Sequence, residues 1–168
     1  MNANAIPLKP KSLMLDTCIW VNSQIGTNNG HEAARDLIVT ARKQGMILGI
    51  APHSLANVFY IVHRHLRRLD ATSQKSVPGD AAAAAKETAW AVISNILDYA
   101  TVIGADGSDA RIAELHKAIH DDFEDDLIIA SARRMNADLV VTDDLSFINH
   151  SPLPTMTAKD SLRWILST

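Results

Sequence analysis

The stretch Ala137-Asp138-Leu139-Val140-Val141-Thr142-Asp143-Asp144 decides how this chain is read. Leu139, Val140 and Val141 are apolar on both faces of an extended segment, as expected when helices cover both sides of a parallel sheet. Two acids follow at once, where an open α/β sheet presents its ligand site beyond the carboxyl end of a strand.

Working outward, three more runs share this character: Ser12 to Leu15, Met46 to Ile50 and Ala100 to Ile103. Between them lie longer stretches with helical periodicity, and helices are expected over His31 to Gln44, Pro52 to Leu69, Asp80 to Leu97, Ser108 to Ile119, Glu124 to Met135 and Ala158 to Leu166. The alternation predicts an α/β fold, a three-layer α/β/α arrangement around a central, mostly parallel sheet of four to five strands. Ala71 to Gly79, rich in Ser, Thr, Pro and Gly, reads as a mobile loop between two helices.

At 168 residues the chain suffices for one substantial core and is short for two, so one domain is expected over residues 1–168, with 1–11 as a flexible extension. With 47% hydrophobic and 21% charged residues it has the balance of a folded globular protein. No segment approaches the roughly 20 apolar residues of a membrane span, and Met1 to Lys11 has no signal-peptide core, so a cytoplasmic location is expected. Cys18 is the only cysteine, which rules out an intrachain disulfide and argues against a cysteine-based zinc site. The net charge of −3 means that any nucleic-acid contact must come from a local basic patch or from bound cations.

The acids that end strands carry the chemistry. Asp16 follows Leu13-Met14-Leu15 directly, where the first strand gives way to a helix; a plain N-cap is the structural alternative. Asp143 and Asp144 end the fourth run in the same way. Asp121, Asp122, Glu124, Asp125 and Asp126 crowd one helix start, where capping needs one or two acids rather than five. A divalent cation would relieve the repulsion among them, since hard cations prefer carboxylate oxygens, while Asp121 and Asp126 read equally well as solvated surface.

Leu15-Asp16-Thr17, Asp122-Phe123-Glu124-Asp125 and the Ala137 to Asp144 run together resemble the ordered acidic motifs of the PIN-domain family, over roughly Ser12 to Ile165. The tail Ser151 to Thr157 resembles that family's last short strand. The resemblance implies a PIN-like fold and metal-dependent hydrolysis of RNA phosphodiester bonds by Mg²⁺ or Mn²⁺. It makes Asp16, Asp125 and Asp144 the metal ligands and Asp122 an auxiliary. Where many members place Glu, this chain has Asn57, which can ligate through its carbonyl or orient a water but adds no charge. Free-standing PIN domains of this length are often toxins of toxin–antitoxin pairs, similar to VapC, which implies a small antitoxin partner.

Thr17 and Thr142 read either as phosphate contacts or as local structural groups. Arg64, Arg67 and Arg68, with His63 and His65, form a basic run that suits an RNA contact or merely a solvated helix end. Trp20, Phe59, Tyr60, Trp90 and Trp164 read as core or interface packing, and Trp90 with Tyr99 suggests a homodimer. A haloacid-dehalogenase-like phosphatase needs a second Asp where Cys18 stands, and Lys159 falls too late for a receiver domain. The rival from another class is a catalytically weak PIN domain that binds RNA or protein.

Overall fold

The computed structural model describes residues 10–73, 78–117 and 121–167. Five strands, β1 (Ser12–Leu15), β2 (Ile47–Ile50), β3 (Ala100–Val102), β4 (Leu139–Val141) and β5 (Thr155–Met156), form one sheet in the order β3-β2-β1-β4-β5. Every pairing is parallel, with Leu13 beside Leu48 and Leu139, and Leu15 beside Val141. The helices are α1 (Thr17–Gln24), α2 (His31–Lys43), α3 (Pro52–Ser73), α4 (Pro78–Leu97), α5 (Gly107–His116), α6 (Phe123–Met135), α7 (Leu145–His150) and α8 (Ala158–Ser167).

The strand residues alternate between two cores, as a pleat of period two requires. Leu13, Leu15, Leu48, Ile50, Leu139 and Val141 pack on one face with Trp20 of α1, Leu37 of α2, Val58 of α3, Ile96 of α4 and Ile165 of α8. Met14 and Val140 point to the other face, against Ile128, Ile129 and Ala132 of α6 and Phe147 of α7. The result is the expected α/β/α sandwich, with a sheet that is wholly rather than mostly parallel.

The helix expected to follow Asp16 is α1, whose extent the sequence did not mark, and α7 escaped the sequence reading. In α1 the apolar residues Ile19-Trp20-Val21 are contiguous and all buried, so no amphipathic stripe marks the helix. Helix α7 has only six residues. The expected loop at Ala71 to Gly79 is narrower than predicted: α3 continues through Ser73 and α4 begins at Pro78, leaving residues 74–77 outside the described part. A formed helix adds residues at little cost, and Pro suits a first turn. Helix α5 ends at His116, short of the expected Ile119, and residues 118–120 are likewise outside the description. At the start, Pro10 is buried and the Lys11 N–H donates to Asp138 Oδ2 at 2.6 Å, so the chain is tied down from there; residues 1–9 lie outside the described part.

Gly49, in the middle of β2, faces the second core. A Cβ built there would collide with Met135 Sδ and lie 2.9 Å from Met14 Sδ. Both sulfurs sit mid-chain in packed side chains, and Met14 is fully buried. Gly49→Ala is therefore expected to lower the unfolding free energy by about 1–3 kcal/mol through overpacking, read from urea denaturation.

Candidate active site

Strand order places the acids. Strands β1, β2 and β3 run outward on one side of β1, and β4 and β5 on the other, so the chain reverses its direction of travel across the sheet between β1 and β4. At such a switch point the loops leaving adjacent strands part and open a crevice. Asp16 follows β1 and Thr142-Asp143-Asp144 follow β4, so both acidic strand ends border this crevice.

Asp16 occupies the N-cap position of α1 but makes no side-chain cap. Its Oδ2 instead accepts from Thr142 Oγ1 at 2.6 Å and from the Cys18 thiol at 3.1 Å. It is only 6% exposed. Burial pushes its carboxyl above the usual range, the Thr142 and Cys18 bonds pull it back, and the Glu124 charge adds to the rise. The Cys18 thiol is held well above its ordinary value, chiefly by burial and then by the Asp16 charge, so it is a neutral donor rather than a nucleophile.

The acids at the head of α6 divide their tasks. Asp122 is the N-cap, its Oδ1 accepting from the N–H groups of Glu124 (2.9 Å) and Asp125 (3.3 Å). Glu124 Oε1 accepts from Thr17 Oγ1 and from Asn57 Nδ2, both at 2.8 Å. Asp125 is partly buried beside the others. Its carboxyl is pushed up to about 8, by burial first and then by the charges of Asp122, Asp16, Asp144 and Glu124. Asp126 points elsewhere: it is buried, not solvated surface, and stands 3.5 Å from His116 Nδ1. Asp121 is exposed, as a surface acid should be.

The two acids after β4 also differ. Asp143 is a strut, with Oδ1 accepting from the Ala158 N–H at 3.0 Å and Oδ2 from Asn22 Nδ2 at 3.3 Å. Asp144 is exposed and caps α7 through Oδ1, which accepts from the N–H groups of Ser146 (2.7 Å) and Phe147 (3.2 Å). Thr142 joins the strand ends: its buried hydroxyl donates to Asp16 and accepts from the Asp144 N–H at 3.0 Å. The Thr17 hydroxyl is likewise engaged inside the protein, with Glu124 and with Ser54 Oγ at 2.9 Å.

Two participants were missed by the sequence reading. Glu124 was one acid among five, and nothing local singled it out. His53, in the first turn of α3, stands three residues beyond the end of β2, a position near a strand end that could have flagged it. Its Nε2 is buried without a hydrogen-bond partner among the described residues. Burial lowers its pKa, and the charges of Glu124 and Asp16 partly oppose that.

Arg64, Arg67 and Arg68 are exposed on the C-terminal half of α3, away from these contacts. Trp90 is 52% exposed and packs on Phe59 with ring centroids 4.8 Å apart. Tyr99 is half-buried, lying against the core residue Trp20 and under the Arg42 guanidinium, which stands 4.0 Å from its ring centroid. Of the pair that suggested a dimer, only Trp90 offers a large surface.

The sequence profile of the PIN domain matches residues 12–146, from the first residue of β1 to the first turn of α7. The chain belongs to the PIN-domain family. PIN domains are generally nucleases that act on nucleic acid with the help of divalent metal ions. The match spans every acid placed above, with Asp16, Asp122, Glu124, Asp125 and Asp144 all inside it. No curated protein matches the chain significantly. No helix among the described residues is long and apolar enough to cross a membrane.

The residues of this PIN domain suit a hard cation in their chemistry. Asp122, Glu124 and Asp144 each have one oxygen held by protein donors and a second that takes no hydrogen bond among the described residues. With the orphaned His53 nitrogen and the carboxylates crowded around Asp125, this is the donor chemistry that a divalent ion recruits. As the side chains stand, no three His, Cys, Asp or Glu groups among the described residues close on a single point.

Proposed function

We propose that this PIN domain is a metal-dependent ribonuclease that hydrolyses RNA phosphodiester bonds, with Mg²⁺ or Mn²⁺ held by Asp16, Asp125 and Asp144. The observation that supports this reading is the Asp125 carboxyl, pushed up to about 8 by burial first and then by four neighbouring carboxylates drawn from three separate parts of the chain. Such an accumulation of like charge is costly without a cation. When bound, the ion would polarise the scissile phosphate and supply an activated nucleophile at neutral pH.

The chain's own groups would then hold and orient. Thr142 fixes the Asp16 carboxylate and the backbone of Asp144 with one hydroxyl. The helix start at Asp122 orients the first turn of α6, and with it Glu124 and Asp125. Asn57, Arg64 and Arg68 fall at helical spacing along one side of α3, so the basic groups extend from the acidic crevice by about 10–16 Å at 1.5 Å per residue. We assign that stripe, with Arg67 beside it, to the RNA backbone. The double variant Arg64→Ala/Arg68→Ala is expected to weaken binding of single-stranded RNA and to reduce the slope of log K against log salt by about 1–2, measured by fluorescence anisotropy.

The test of the activity is cleavage of single-stranded RNA that requires added Mn²⁺ and stops with EDTA. A second reading is favoured by Asn57, which adds no charge to the site, and by the net charge of −3: a catalytically weak PIN domain that binds RNA or protein. Binding of RNA without Mn²⁺-dependent cleavage would establish it. For biological role, the proposal is the toxin of a type II toxin–antitoxin pair, with a small antitoxin covering the crevice. Expression should arrest growth, and co-expression of the neighbouring reading frame should relieve it; normal growth with confirmed folded protein would refute this role.

A further inference from the structure

The Asn57 position is not an empty substitution for an acid. Its amide donates at 2.8 Å to Glu124 Oε1, and the same oxygen accepts from Thr17 Oγ1 at 2.8 Å. Thr17 is buried and in turn contacts the buried Ser54 of α3. Three elements, α1, α3 and α6, thus converge on one carboxylate oxygen across sequence separations of 67 and 107 residues. Two neutral donors on a single oxygen fix the carboxylate in place while adding no countercharge.

The other oxygen, Oε2, takes no hydrogen bond among the described residues. The Glu124 charge is felt at Asp16, Asp125 and His53, so the group belongs electrostatically to the crevice.

We infer that Glu124, clamped by Asn57 and Thr17, carries the negative charge that α3 lacks and is a further ligand for the site's divalent cation. This rests on the metal-dependent reading above. Asn57 is then a positioning residue: it acts through Glu124, to which its amide nitrogen donates.

The test is Mn²⁺ binding to the full chain by isothermal titration calorimetry, beside thermal melting of the metal-free protein. Wild type should bind Mn²⁺, and Glu124→Gln should bind at least about tenfold more weakly, the scale on which loss of a supporting group acts at a metal site. The double substitution Asn57→Glu with Glu124→Gln keeps a complementary pair but moves the charge to α3; it should recover most of the affinity. Should Glu124→Gln not fold, the exchanged pair decides by itself: affinity near wild type supports the inference, and affinity tenfold weaker overturns it. Glu124→Gln that melts lower yet binds Mn²⁺ as wild type does would make the residue purely structural and overturn the inference. If wild type binds Mn²⁺, Asp16→Asn does not and Glu124→Gln is unaffected, the inference alone fails. Absence of binding by wild type would overturn the metal-dependent reading and this inference together.

Discussion

Asp125→Asn is expected to remove RNA cleavage and at the same time to stabilise the metal-free protein. The first effect is a loss of about a thousandfold in kcat/KM, the upper scale for deleting one preorganised electrostatic group at a reacting centre. The second follows from the carboxyl's environment. Burial and the charges of Asp122, Asp16, Asp144 and Glu124 raise its folded pKa to about 8, against an ordinary 3.8 in the unfolded chain. Between those values the native state holds a proton that the unfolded state has released, so stability falls as pH rises from about 4 to about 8. An amide carries no such penalty.

Discounted for partial exposure, the gain at about pH 8 should be roughly 1–2 kcal/mol. Urea denaturation in EDTA at about pH 5 and about pH 8 reads it: the wild-type midpoint should decline between the two, and the variant's decline should be smaller. A variant less stable than wild type at both pH values would refute the charge crowding on which the site is built. Added Mn²⁺ should reverse the order, stabilising wild type by mass action and leaving the variant nearly unmoved.

Thr142→Val should damage fold and site together. The hydroxyl is buried, donates to Asp16 at 2.6 Å and accepts the Asp144 N–H at 3.0 Å. Valine matches its shape but leaves that N–H without an acceptor and Asp16 with the Cys18 thiol as its remaining side-chain donor. Losing a hydrogen bond to a charged group and stranding a backbone donor should cost about 2–4 kcal/mol, a fall of roughly 5–15 °C in Tm for a domain of this size.

Activity should fall about 10–100-fold, as for other groups that orient metal ligands. The pH profile separates this from simple instability. Thr142 lowers the Asp16 pKa, so its removal must raise it, and the acid limb of kcat/KM should move to higher pH. Thr142→Ser keeps the hydroxyl and should restore the limb. An unchanged acid limb in Thr142→Val would show that Asp16 titrates independently of this bond.

The pattern of the chain made the frame legible. Val140 between Leu139 and Val141 already showed a strand buried on both faces, and its two sides do enter separate cores. The start of α1 was expected at Asp16, but its extent was hidden, because the contiguous buried residues Ile19, Trp20 and Val21 leave no amphipathic stripe to mark its period. Of the two readings left open for Asp126, solvated surface fails: one residue's rotation beyond Asp125 turns it beneath α5, where His116 meets it.

Local sequence determined the alternation of strands and helices, the acids at strand ends and the crowding of charge before Leu127, because these follow from periods of two and 3.6 residues and from turn chemistry. Tertiary structure alone decided which acid does what: Asp143 became a strut and Asp144 did not, Asp126 turned away while Asp125 stayed, and Glu124 found Asn57 and Thr17. The site's contacts join residues up to 126 positions apart, as Thr142 and Asp16 are, and only strand order and side-chain packing bring such partners within hydrogen-bond range.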